Sequence, residues 1–323
     1  MLYLNPSPQV GTVLHRAGVA RRPLALQDKA LLDSKGLVLK REWSARNAGT
    51  VEYRPNLWRW IQLQHRPELV NPRALHDPRL REALAHTIDK QAINQGLFEG
   101  EGIMSDTIVP PTEDYYGTVD RALVKYGYDL RVAEQLLADA GFARGVDGTY
   151  ASPTEGRLNL ELRVISSPQN DAERSIIADA WRRFGFEVEE GGFTAAQARD
   201  GETLTRFRAL STTSGPLGAN SMVNYTTGQI PRAENRWVGQ NRGGWSNPEY
   251  DRIFEQYQTT FMREERIGHL AQAARILSEQ LGVIPLYFNP GVLAYPATLR
   301  GVSVKAAEAE ATWNIYEWEL RQG

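Results

Sequence analysis

Residues 158–190 constrain the fold more than any other stretch. Leu158, Leu160, Leu162 and Val164 alternate with Asn159, Glu161, Arg163 and Ile165. That period of two predicts a strand over Leu158–Ser167. Ile176, Ile177, Ala180, Trp181 and Phe184 follow at helical spacing. They predict a helix over Asp171–Phe184, stopped by Gly185. Phe186–Glu190 reads as a second strand. A connection of this length suits a crossover between parallel strands, so the region is predicted to build an α/β lobe. Arg206–Ser211 reads as a third strand. Glu249–Phe261 and Arg263–Leu281 read as long helices, and Val283–Phe288 as a returning strand.

Two further segments have clear helix start and stop signals. Asp77–Ile93 opens with a capping Asp77 followed by Pro78, whose missing N–H costs nothing at the first helical position. Leu80, Leu84 and Ile88 make one apolar stripe, and Gly96 is expected to close the run. Tyr128–Phe142 is capped by Asp129, carries Leu130, Ala133, Leu137 and Ala140 on one face, and ends at Gly141. Nearer the start, Pro23–Ser34 reads as a short helix closed by Gly36. Leu37–Trp43 and Trp58–Gln64 read as strands. Arg66–Asp77, rich in Pro and Asn, reads as a linker and a lobe boundary.

Composition removes several function classes. A chain of 323 residues supports roughly two domains and a buried core. Its net charge of −2 argues against a general nucleic-acid surface. No apolar run approaches the ~18 residues of a membrane-spanning helix. Without cysteine there is no disulfide framework, Cys metal site or thiol chemistry. The N-terminal residues show no secretory signal pattern.

Enzymatic constellations are missing as well. His15, His65, His76, His86 and His269 are scattered and form no metal-ligand pair. There is no nucleophile elbow, P-loop or dinucleotide fingerprint. Glu189 and Glu190 are adjacent on a strand and point to opposite faces. No catalytic residue, cofactor or metal is therefore expected.

A binding loop has better support. After the strand ending at Ser211 comes Thr212-Thr213-Ser214-Gly215-Pro216-Leu217-Gly218-Ala219-Asn220, with Tyr225 close behind. Hydroxyls, amides and glycines offer neutral hydrogen bonds and close backbone approach. The same residues suit a plain surface loop equally well. Trp237, Asn241, Arg242 and Trp245 form a second polar and aromatic stretch, which reads either as ligand contact or as packing at a helix entry.

Several of these segments, taken in order, resemble the family 5 extracellular solute-binding proteins, the dipeptide, oligopeptide and nickel receptors of ABC importers. DPRLREALAHTIDK and YDLRVAEQLLADAGF are similar to two family signatures. Pro110-Pro111 after Gly100 and Gly102 fits a family loop. Trp245-Ser246-Asn247-Pro248-Glu249-Tyr250-Asp251 looks like its helix start, Ile284–Phe288 like its returning strand, and Gly301–Trp318 like its closing strands. The resemblance implies an α/β fold of the type II periplasmic-binding-protein kind. It places 1–66 in part of lobe I, 67–290 in a C-terminal lobe, and 291–323 in a return to lobe I. It also implies that the chain is the C-terminal portion of a longer protein.

The implied function is capture of a peptide or other small solute, by closure of a hinged cleft, for delivery to ABC permease membrane subunits. The loop after residue 211 would face that cleft. Ser211, Thr212, Thr213, Ser214, Asn220, Tyr225, Arg242 and Trp245 are thus the candidate ligand-binding residues. The implied setting is periplasmic or extracellular, and the protein monomeric with no nucleic-acid partner through this region. One departure bears on the ligand. Peptide receptors of the family place an Asp, often beside a Trp, in this loop, whereas residues 210–225 contain neither. A buried ammonium would lack its carboxylate there, so a neutral, anionic or sugar ligand fits as well. The alternative from another class is the solute-sensing C-terminal domain of a transcriptional regulator.

Overall fold

A computed structural model describes residues 26–303 and 312–320, with side chains described from Gly36 onward. Its centre is a six-stranded mixed sheet in the order β2-β9-β1-β8-β6-β7. These strands are β1 (Gly49–Leu63), β2 (Ile103–Met104), β6 (Asn159–Ile165), β7 (Glu187–Phe193), β8 (Leu210–Gly215) and β9 (Val283–Pro296). β6 pairs in parallel with both β7 and β8, while β1 runs antiparallel to β8 and β9. The predicted strand–crossover–strand unit is β6, then helix α6 (Pro168–Phe184), then β7. Beside it, β3 (Ala143–Arg144), β4 (Tyr150–Ser152) and β5 (Gly156–Arg157) make a small sheet, and β10 (Leu299–Arg300) pairs with β11 (Glu319–Leu320).

Helices cover both faces of the sheet. One face packs α2 (Pro78–His86), α3 (Lys90–Phe98), α5 (Leu130–Asp139) and α6 against Ile61, Leu63, Leu160, Leu162, Leu210 and Leu286. The other packs α4 (Tyr116–Ala122), α7 (Pro248–Thr259) and α8 (Arg263–Glu279) against Trp58, Trp60, Val283 and Phe288. Alternation along β1 divides its side chains between the two cores. The register of β9 against β1 shifts between Arg59 and Trp60. That bulge lets Leu286 and Tyr287, though adjacent, both join the first core.

The caps act as the sequence indicates. Asp129 accepts from the N–H groups of Arg131 and Val132 and starts α5. Asn247 accepts from Glu249 and Tyr250 and starts α7, with Pro248 in the first turn. Gly185 ends α6 at φ +110°, and a Cβ there would lie 2.3 Å from the carbonyl oxygen of Gly148. Gly185→Ala is therefore expected to lower stability by about 1–3 kcal/mol, through the left-handed backbone and the clash together. Urea denaturation at neutral pH measures this; an unchanged midpoint would contradict it.

Four expectations differ from what is observed. Asp77–Ile93 is two helices with a break at Thr87–Asp89. The Thr87 hydroxyl donates to the Leu84 carbonyl and accepts from Trp181 Nε1, while Asp89 caps α3 by accepting from Ala92 N–H. Gly96 does not close that run. It lies inside α3, where a Cβ would meet Ile176 Cδ1 at 2.7 Å, so it allows α3 to approach α6. Leu37–Trp43 is helical, part of α1 (Leu26–Arg46). Leu39 and Trp43, four residues apart, pack on Val51, Val292 and Ala294. Gly36 sits within this helix, and a Cβ there would meet Val292 Cγ2 at 2.8 Å. Residues 23–25 of the predicted short helix lie outside the described residues, as do 304–311 of the closing segment.

The Arg66–Asp77 segment, expected to hold a lobe boundary, follows directly on a strand of the central sheet. The strand before it, β1, is the middle of the sheet, with Trp58–Leu63 paired to β8. Above Trp58, β1 and β9 continue as a two-stranded ladder from Pro55↔Pro290 to Gly49↔Pro296, flanked by α1.

Candidate functional site

The carboxyl ends of β6, β7 and β8 all lie at one edge of the sheet, because the three strands are parallel. Such an edge is where open α/β sheets place ligands. The β1–β9 ladder leaves the sheet at that same edge, since Trp58 pairs with both Gly215 and Phe288. Ser167 caps α6 there by accepting from Asn170 N–H, and the Asn170 amide donates to the Ile165 carbonyl. Exposed Gln169 donates to Asn289 Oδ1 at 2.7 Å and to Tyr287 Oη at 3.2 Å. A cavity of about 590 Å³ opens beside this pair, walled by Asn56, Leu57, Phe98, Pro168, Gln169 and Asn289 among others.

Below the rim lies a buried charge network. Arg59 in β1 donates to Glu173 in α6 through Nε at 3.1 Å and Nη2 at 2.5 Å. Nη2 also donates to Thr212 Oγ1 at 3.1 Å, and Tyr287 Oη donates to Glu173 at 2.5 Å. Burial works against the Arg59 charge, but Glu173 outweighs it and holds the guanidinium above its ordinary range. Burial, and then the Glu173 carboxylate, raises the Tyr287 phenol. Four elements are thus locked together directly beneath Gln169 and Asn289.

The residues singled out in the sequence are spread over the lobe. Thr212 and Thr213, expected in a loop, are in β8 and buried; Thr212 binds Arg59, and Thr213 pairs with Trp60. Ser211 is buried and opposite Gln62, toward the far end of the strand. Ser214 is half-buried near the rim, followed by Gly215 and exposed Pro216. Asn220 is exposed and accepts from the Tyr257 hydroxyl. Tyr225 is buried edge-on to Trp58 and Trp60.

Arg242 and Trp245 are at the opposite end of the sheet. Gln62 donates to the Gln240 carbonyl, His65 N–H to that of Gly243, and Trp245 lies against Gly282, just before β9. The structure therefore brings Ser214 and the following loop to the rim and leaves Ser211, Arg242 and Trp245 away from it. Gln169, Asn289 and Asn56 went unnoticed in the sequence. Only the S-P-Q-N helix start hinted at the first.

The comparisons fit this topology. Residues 19–224, more than half the chain, match the family described as "Bacterial extracellular solute-binding proteins, family 5 Middle". The chain belongs to that family. Among family 5 relatives, it is 25% identical over 213 residues to di/tripeptide-binding protein 1 of Pseudomonas aeruginosa, covering 64% of this chain and 36% of that one. It is 24% identical over 216 residues to the dipeptide-binding protein of Escherichia coli, covering 65% and 37%.

In structure it is similar to the oligopeptide-binding protein of Thermus thermophilus complexed with pentapeptide (TM-score 0.67, 23% identity, 85% of this chain and 49% of that one). It is also similar to NikA of Brucella suis complexed with Fe(III)-EDTA (TM-score 0.68, 15% identity, 98% and 60%). These likenesses show the periplasmic-binding fold. The chain spans under two-fifths of the length of the two curated relatives above.

Proposed function

We propose that this chain is the C-terminal lobe, with its hinge, of a solute-binding component of an ABC importer. The observation that carries this reading is the β1–β9 ladder. Two strands from distant parts of the sequence fill the middle of the sheet and leave it together at the ligand edge. A paired two-stranded crossing of this kind bends as a unit, and a solute gripped from both sides would favour the closed form by its differential affinity. On this reading lobe II is built on the sheet, and the ladder above Pro55 and Pro290 runs toward lobe I. The solute would meet Gln169, Asn289, Ser214 and the loop from Gly215 to Asn220.

The relatives are named as binding proteins, which supports binding rather than turnover and leaves the regulator alternative without an advocate. Their names also support a peptide as solute, and the family's description as extracellular supports an extracytoplasmic location; a permease partner follows from the importer role proposed here. On this reading the loop between residues 210 and 225, which carries no charged side chain, would meet the peptide backbone rather than its amino terminus.

Native mass spectrometry of the full-length protein is expected to find a co-purified peptide. Replacing Gln169 and Asn289 together by Ala is expected to weaken peptide binding by about ten-fold or more, the size of one or two lost hydrogen bonds in a desolvated site. Calorimetry showing unchanged affinity in the double variant would reject the rim as the site.

A further inference from the structure

A second cavity, of about 570 Å³, lies at the other end of the sheet, where β1 ends and the chain enters β8. Its walls include Arg66, Leu69, Ile230, Arg232 and Trp237. Arg66 is half-buried, and its side chain crosses Gly244, where a Cβ would fall 2.7 Å from Arg66 Cγ. Its Nη2 donates to the Pro231 carbonyl at 2.9 Å. Among the described residues no carboxylate lies within 4.0 Å of the Arg66 or Arg232 guanidinium. Arg206, also on the wall, is by contrast already paired with Glu202. Burial lowers the Arg66 pKa, Glu68 partly offsets this, and Arg232 adds to it. Glu68 and Glu234, both exposed, also line the cavity.

The aromatic wall is held by unusual backbone. Arg236 and Trp237 are consecutive at φ +56° and +59°, a conformation that bulky residues adopt only when their surroundings enforce it. Trp237 N–H donates to the Arg232 carbonyl at 2.8 Å, which ties the ring and the second cation to one turn.

We propose that this cavity binds a small organic carboxylate. Its charged head would pair with the Arg66 and Arg232 guanidiniums, whose planar forks suit two oxygens. Its apolar body would lie against Trp237 and Ile230. The site is about 20 Å from the carboxyl rim, the six residues of β8 at roughly 3.3 Å each. The inference therefore stands apart from the transport reading.

Calorimetry of the intact protein with benzoate, hexanoate, benzyl alcohol and benzylamine tests it. Benzoate and hexanoate are expected to bind, and the alcohol and amine to bind about ten-fold more weakly or not at all. Arg66→Gln and Arg232→Gln should each weaken benzoate by about ten-fold. Arg232 is exposed, so its variant should keep the wild-type unfolding midpoint and carries the test if Arg66→Gln fails to fold. A peptide bound at the rim should not displace benzoate. The proposal is overturned by an absence of carboxylate binding at millimolar concentration, by undiminished binding in Arg232→Gln, or by displacement by the peptide.

Discussion

Arg59→Met is expected to lower the stability of this protein by about 3–5 kcal/mol, because it strands the Glu173 carboxylate in the interior. The partner side chains are 3% and 0% exposed, so water cannot replace the lost guanidinium. Tyr287 would remain as a donor to Glu173, but Thr212 would lose its charged partner. Urea denaturation gives the size of the loss. Converting Glu173 to Gln in the same background should recover part of it by removing the uncompensated charge. A single-variant loss under about 1 kcal/mol, within the range of an exposed ion pair, would mean the network is open to solvent.

The second large effect depends on pH. Burial, reinforced by the charges of Arg81 and His76, pushes the His65 pKa from 6.5 down to about 3. His65 therefore stays neutral in the folded protein while the unfolded chain takes up a proton below pH 6.5. Its contribution to stability is full above that pH and is lost as pH falls toward 3. Over the middle of that window the slope from this one group approaches about 1.4 kcal/mol per pH unit. Denaturation midpoints measured from about pH 7 to about pH 4 should fall accordingly. His65→Gln should flatten the decline although it costs stability at neutral pH. Parallel declines in the two proteins would show that His65 is protonated in the fold.

Much of the architecture was legible because local signals agreed with one another. Asp129 and Gly141 bracket α5, Asn247-Pro248 starts α7, and Gly185 separates α6 from β7. Each is a short-range demand of the backbone, readable without knowing the fold. Leu37–Trp43 failed for the opposite reason. Its apolar residues fit a strand or a helix, and only contact with Val292 and Ala294 decides between them. Thr87 failed because its hydroxyl is committed to Trp181, 94 residues away, a tertiary bond that breaks the helix.

The site was less legible than the fold. Thr212 and Thr213 looked like loop residues because they are polar, yet β8 is a central strand with an arginine to satisfy. The Arg59–Glu173 pair spans 114 residues and has no local signature. Arg242 and Trp245 lie apart from Ser214 and the loop that follows it. Sequence order does not show that the chain has crossed to the opposite end of the sheet by Gln240.

The position of β9 also bears on how the molecule is made. It is the strand between β2 and β1, yet it begins only at Val283. Until the ribosome has passed that point, Trp58 and Ile61 have no neighbour on one side and the helices on each face have no complete floor. Pairings so distant along the chain slow folding and prolong exposure of apolar surface. A polypeptide interrupted before Val283 would thus be a client for holding chaperones, and maturation would resemble a zip fastened by its last tooth.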